Sequence, residues 1–177
     1  MLLGPLRHRF TALERAKEQG IGHYFVPRYT RVVDTVESKD NINKAYNLIS
    51  TSKVRNEMIV DDVITCITRK QTPVILTRFK EHAKFLYDAL KGKADHVFLL
   101  YGDNSDKENT EIRGRLKQVP GSESLVLVAT GQKIGEGFDF PRLDVLMLAA
   151  PVSFEGRLEQ YVGRLNRDYV GKEAVYV

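Results

Sequence analysis

Leu125-Val126-Leu127-Val128-Ala129 is an uninterrupted apolar run bounded by turn residues. A run of that length reads as a strand buried within a sheet. Thr130 to Pro141 follows, rich in glycine and closed by Asp139 and a proline; Val145 to Ala149 is a second apolar run, and a predicted helix over 155–166 ends in Gly163-Arg164-Leu165-Asn166-Arg167. Strand, glycine-rich loop, strand and arginine-bearing helix is the order in which a parallel α/β sheet presents polar groups at the carboxyl ends of its strands.

The rest of the chain supports that edge. A capping box at Thr11-Ala12-Leu13-Glu14 and a stop at Gly20 predict a helix over 12–19. His23 to Val26 reads as a short strand that Pro27 ends. Arg28-Tyr29-Thr30-Arg31 is basic and aromatic, either a phosphate or partner contact or a plain connecting arm. Ile42, Ala45, Leu48 and Ile49 recur at helical spacing between Asp40 and Ser50, and a second helical pattern spans about 56–68 through Met58, Ile59, Val63, Ile64 and Ile67. Asp61-Asp62 on that helix reads as a solvated face. After Pro73 strands at 74–77, 97–101, 125–129, 145–149 and 174–177 alternate with helices at 81–90, 107–117 and 155–166. Such alternation implies a mostly parallel sheet with right-handed crossovers, in three layers with helices on both faces.

At 177 residues and 42 % hydrophobic content the chain suits one soluble domain with a sizeable core. Lys and Arg number 27 against 23 Asp and Glu, a mild basic excess that fits a nucleic-acid partner and an ordinary basic protein about equally. A lone cysteine, Cys66, excludes an intramolecular disulfide framework and suits a reducing compartment; its apolar helical setting reads as a buried structural thiol. No apolar run approaches the ~18 residues of a membrane span, and the N-terminus does not read as a secretory signal. No membrane partner and a cytoplasmic location are therefore expected. His8, His23, His82 and His96 are scattered and predict no metal site on protein ligands.

Chemistry is concentrated at the carboxyl edge. Glycines 131, 135 and 137 permit backbone amides to approach a phosphate or sugar, and Asp139 is placed to accept hydrogen bonds from a ribose; a tight turn accounts for the glycines as well. Gln160, Gly163, Arg164 and Arg167 fall at i, i+3, i+4 and i+7, on one helical face. A guanidinium offers a planar fork of donors that matches phosphate oxygens and stays charged.

These segments resemble the second, C-terminal RecA-like domain of superfamily 2 helicases and translocases, the DEAD/DEAH-type and restriction-enzyme-like group. Val74-Ile75-Leu76-Thr77-Arg78 is similar to motif IV, Val128-Ala129-Thr130 with Glu136-Gly137-Phe138-Asp139-Phe140-Pro141 to motif V, and Gln160-Tyr161-Val162-Gly163-Arg164-Leu165-Asn166-Arg167 to motif VI, Q-x-x-G-R-x-x-R. Glu136 stands where many relatives carry Arg. The resemblance implies Arg167 as arginine finger, with Arg164 on the same γ-phosphate; Asp139, Gly137 and Gln160 at bound ATP; and Thr130, Thr77 and Arg78 on the nucleic-acid backbone. It assigns residues 73–177 to that domain and residues 1–72 to a linker and helical lead-in from a first motor domain.

The sequence has no G-x-x-x-x-G-K-[ST] phosphate cradle and no Asp-Glu pair after an apolar strand, and Gly171-Lys172-Glu173 lacks the hydroxyl and the glycine spacing. The expectation is half of an ATP-dependent helicase or translocase. ATP with Mg²⁺ would be held against a first RecA-like domain of the same polypeptide, with DNA, or RNA, as track, and the 177 residues alone would lack ATPase activity. The chain stops within an apolar strand signal, which implies a longer natural sequence. The competing expectation is a self-contained α/β module holding a nucleotide or anion at the glycine-rich loop without motor activity.

Overall fold

The computed structural model describes residues 20–30, 32, 42–102, 104–131, 139–151 and 155–177. The predicted helix over 12–19, together with Gly135, Glu136, Gly137 and Phe138, lies outside them. The described residues form, in chain order, β1 (Gly22–Tyr24), α1 (Ile42–Thr51), α2 (Lys53–Thr68), β2 (Pro73–Thr77), α3 (Lys80–Leu90), β3 (His96–Leu100), α4 (Asp106–Gln118), β4 (Leu125–Thr130), β5 (Val145–Leu148), α5 (Glu155–Leu165) and β6 (Ala174–Tyr176). The six strands make one sheet in the order β1-β6-β5-β2-β4-β3, and every pairing is parallel.

Parallel strands covered on both faces need near-continuous apolar side chains; β2 and β4 supply them up to their closing threonines, Thr77 and Thr130, and each strand is buried along its whole length. Successive residues point to opposite faces, so the two strands divide between two cores. Val74, Leu76, Leu125, Leu127 and Ala129 meet Leu116 of α4 and Tyr161 and Leu165 of α5 on one face. Ile75, Val126 and Val128 meet Ile59, Val60 and Val63 of α2 and Ala83, Leu86 and Leu90 of α3 on the other. The result is the three-layer α/β architecture.

Local signals set the helix ends. Ser105 and Glu108 form a reciprocal capping box at α4, and Ser52 accepts from the Arg55 amide at α2; each satisfies a donor the helix start leaves free. In α1 Tyr46 is buried, while Leu48, placed on the apolar face by periodicity, is 37 % exposed. Two segments upstream of residue 73 are built into the sheet domain: β1 pairs with β6, and α2 covers β2. Asp61 is exposed, as the solvated-face reading expects, and Asp62 beside it receives the Arg28 guanidinium in a solvent-exposed two-point fork, Nε to Oδ2 and Nη2 to Oδ1, both at 2.8 Å.

Candidate nucleotide and strand edge

Strand β2 lies between β4 and β5, which lead away in opposite directions across the sheet. That reversal opens a crevice at the strands' carboxyl ends. Thr77 and Thr130 are register partners there, at the last positions of β2 and β4. The glycine-rich loop leaves from Thr130, and α5 packs against its root: the Tyr161 hydroxyl donates to the Gly131 carbonyl at 2.9 Å. A Cβ on Gly131 would lie 2.6 Å from that hydroxyl. Gly131 is thus required by the close approach of Tyr161.

The acid and the arginine singled out from sequence come together across this edge. Arg167 Nε lies 3.5 Å from Asp139 Oδ1, with the two side chains 52 % and 57 % exposed. An ion pair so exposed contributes about 0–1 kcal/mol, so neither group is locked in place. Arg164 is half-buried in the last turn of α5 and Gln160 is exposed one turn earlier. Among the described residues, a Cβ at Gly163 would meet nothing within 4 Å. Helix α5 runs to Leu165, and the Asn166 amide closes its last helical hydrogen bond, to the Val162 carbonyl at 3.1 Å. Arg167 therefore stands on the turn beyond α5, and its position is set by that turn instead of by helical spacing from Arg164.

The threonines are less open. Thr130 is 7 % exposed and Thr77 4 %. The Thr77 hydroxyl lies 2.7 Å from His82 Nδ1, and His82 Nε2 lies 2.9 Å from the Asn56 side-chain oxygen. Because that Asn56 oxygen only accepts, Nε2 carries the proton and Thr77 donates to Nδ1. Burial, reinforced by the nearby Arg55 charge, pushes the His82 pKa down to about 4, which keeps the ring neutral. Arg78 is exposed and lays its guanidinium 4.4 Å from the centre of the Tyr46 ring.

Sequence reasoning passed over three residues here. Tyr161 sat among the motif residues as filler. Asn166 is 4 % exposed, and its side-chain nitrogen and oxygen have no hydrogen-bond partner among the described residues. Lys172, read only as part of a failed phosphate cradle, donates to the carbonyls of Pro141, Leu165 (2.8 Å) and Arg167 (3.1 Å). Elsewhere, a cavity of about 500 Å³ opens between residues 25–30, α2 and β5; its walls are mostly apolar and include none of the residues of this edge. Cys66 lines it half-buried, its thiol pushed up to about 11 by burial and by Asp144 and Asp62. Among the described residues no cluster of three His, Cys, Asp or Glu is arranged to hold a metal ion, and no helix is long and apolar enough to cross a membrane.

No family model matches the chain. It is 27 % identical over 172 residues to transcript termination protein A18 of Yaba-like disease virus, covering 91 % of this chain and 35 % of that protein. It is 32 % identical over 117 residues to transcript termination protein A18 of Fowlpox virus, covering 64 % and 24 %. The chain thus spans about a third or less of the length of these curated relatives. Among solved structures it is similar to T4 UvsW, with a TM-score of 0.66 at 20 % identity over 88 % of this chain and 31 % of that one. The Sulfolobus solfataricus SWI2/SNF2 ATPase core in complex with dsDNA gives 0.57 at 16 % identity over 81 % and 33 %. Mss116p DEAD-box helicase domain 2 bound to an RNA duplex gives 0.53 at 22 % identity over 75 % and 50 %.

Proposed function

We propose, for a chain that has the fold of the second RecA-like domain of superfamily 2 helicases, that it is the C-terminal half of an ATP-dependent nucleic-acid translocase. The relatives' name, transcript termination protein, points to a motor that acts on the DNA or RNA of a transcription complex. The observation that carries the reading is the meeting of Asp139 and Arg167 at 3.5 Å on the exposed carboxyl edge. One segment supplies an acceptor for sugar hydroxyls and another a donor for phosphate oxygens, and the weak pair between them is released at little cost.

In this reading ATP supplies the phosphoryl group transferred to water, with Mg²⁺, in a cleft shared with a first RecA-like domain. Asp139 accepts hydrogen bonds from the ribose, while Arg164 and Arg167 place positive charge where the γ-phosphate becomes more negative; such a finger is worth about 10³-fold or more in rate. Gly137, outside the described residues, and Gln160 complete the nucleotide side. Arg78, exposed at the end of β2, is the better placed of the strand contacts. Thr77 and Thr130 reach a phosphate backbone once the edge opens, with Thr77 exchanging its bond to His82. Grip through phosphates makes binding tolerant of sequence and weaker in salt.

The test uses a protein in which this chain is joined to its first RecA-like domain. Arg167→Ala abolishes nucleic-acid-stimulated ATP hydrolysis and leaves the Kd for ATP within a few-fold. Turnover unchanged by the substitution removes the finger role and the reading with it.

A further inference from the structure

Lys172 occupies a place that the sequence motifs do not explain. Gly171, at φ +81°, adopts the left-handed conformation that favours glycine and turns the chain back after Tyr169. This returns the next side chain beneath the end of α5, where the Lys172 ammonium donates to the carbonyls of Leu165 at 2.8 Å, Arg167 at 3.1 Å and Pro141. Leu165 and Arg167 flank the C-terminus of α5. Pro141 lies two residues after Asp139 and twenty-four before Leu165. One cation therefore fastens the loop that carries the acid to the turn that carries the arginine.

We infer that Lys172 is the positioning residue for Arg167, setting the separation of Asp139 and Arg167 by binding a backbone carbonyl next to each. The inference rests on the proposal that these two groups face bound nucleotide. Three convergent acceptors match the three N–H groups of an ammonium; a neutral amine has two and turns a lone pair toward the third oxygen. The groups around Lys172 are two carboxylates, Asp144 from the residue before β5 and Asp168 from its own turn, with Arg142 beside Asp144. Burial brings the Lys172 pKa down to about 8 even though both carboxylates favour its charge. The third hydrogen bond is therefore present below about pH 8 and lost above it. Stability has the opposite sense. A folded pKa below the unfolded value of 10.5 means that the native state sheds its proton first, so this group's contribution to stability rises as pH climbs from about 8 to 10.5.

The experiment is an NMR titration of the 177-residue chain, following the Lys172 ammonium and the Arg167 Nε–Hε resonance from pH 6 to 10. Both are expected to share a midpoint near pH 8, and Lys172→Met removes the Arg167 midpoint. The wild-type titration needs no variant, so it stands even if Lys172→Met fails to fold. An Arg167 resonance indifferent to the Lys172 titration overturns the inference. In a joined two-domain protein whose turnover Arg167→Ala abolishes, Lys172→Met lowers kcat by about tenfold or more and changes the Kd for ATP less than threefold; unchanged kcat there also overturns it. The two proposals fail separately. Shared midpoints with turnover untouched by Arg167→Ala leave the clamp standing and the finger lost, whereas lost turnover without shared midpoints does the reverse.

Discussion

Replacing Gly131 with alanine tests how tightly α5 is pressed against the root of the glycine-rich loop. A Cβ built there lies 2.6 Å from the Tyr161 hydroxyl and 3.6 Å from the ring carbon that bears it. The first distance is a clash and the second an ordinary contact. The Tyr161 ring is 6 % exposed and packed among Leu127, Ala129 and Leu165 in one core, so it has no room to swing aside. Overpacking of this kind costs about 1–3 kcal/mol, and loss of the 2.9 Å hydrogen bond to the Gly131 carbonyl adds about 1 kcal/mol. Gly131→Ala alone is therefore expected to destabilise by about 2–4 kcal/mol. Tyr161→Phe alone removes that hydrogen bond, for about 1–2 kcal/mol. With the hydroxyl already gone, alanine meets only the 3.6 Å contact, and stiffening of the unfolded chain offsets part of any remaining strain. The double variant should cost little more than Tyr161→Phe, giving a coupling of about −2 kcal/mol or stronger by urea unfolding of all four proteins. Additive costs refute the argument, because they place the penalty of alanine somewhere other than the tyrosine hydroxyl.

Two further outcomes follow from buried polar groups. His82, held near pKa 4 by burial and the Arg55 charge, binds its proton less readily folded than unfolded. Its contribution, about 3 kcal/mol, is complete above pH 6.5 and lost as pH falls toward 4; urea midpoints at pH 7.5 and 4.5 should differ clearly, and less so in His82→Gln. Asn166 keeps an amide buried without partners among the described residues, so Asn166→Leu, of similar shape, should raise the urea midpoint by the equivalent of about 1–3 kcal/mol. A lower midpoint means that the amide is already satisfied.

The sheet was legible because continuous apolar runs leave few alternatives. β2 and β4 are buried on both faces, and their predicted spans differ from the observed ones by a single residue at one end. Motif order put Asp139 and Arg167 at one edge of the sheet, but their 3.5 Å contact was not among the expectations. What the sequence hid depends on partners far apart along the chain. Thr77 reads as an exposed strand-end hydroxyl until His82 and, from twenty-six residues before that, Asn56 enclose it. Asp62 reads as solvated until Arg28 reaches it across 34 positions. Helical spacing also carried the reading of α5 too far. The period through Gln160, Gly163 and Arg164 continues numerically to Arg167, but backbone helix stops at Leu165.

That early stop changes what holds the arginine. On a continuing helix Arg167 would be fixed by the same ladder of hydrogen bonds as Arg164, and the two would move as a unit. Beyond the helix its backbone depends on the turn from Asn166 to Lys172, a segment whose described ties are the Asn166 amide to the Val162 carbonyl, the Lys172 amide to the Tyr169 carbonyl, and the Lys172 ammonium. Asp139 likewise belongs to no described helix or strand, and it precedes Phe140, which is 7 % exposed and packed in the core. Both charged groups are thus borne on short irregular segments fastened at one side to a rigid core. The buried sheet sets where the edge lies, and the Lys172 clamp sets how far apart its acid and arginine stand. Under the proposed function, a first domain closing on this edge would have only to exchange a weak, half-exposed ion pair for contacts of its own. Burying that pair would make it harder to release, and the buried residues of this domain lie instead mainly in β2, β4 and the helices that cover them.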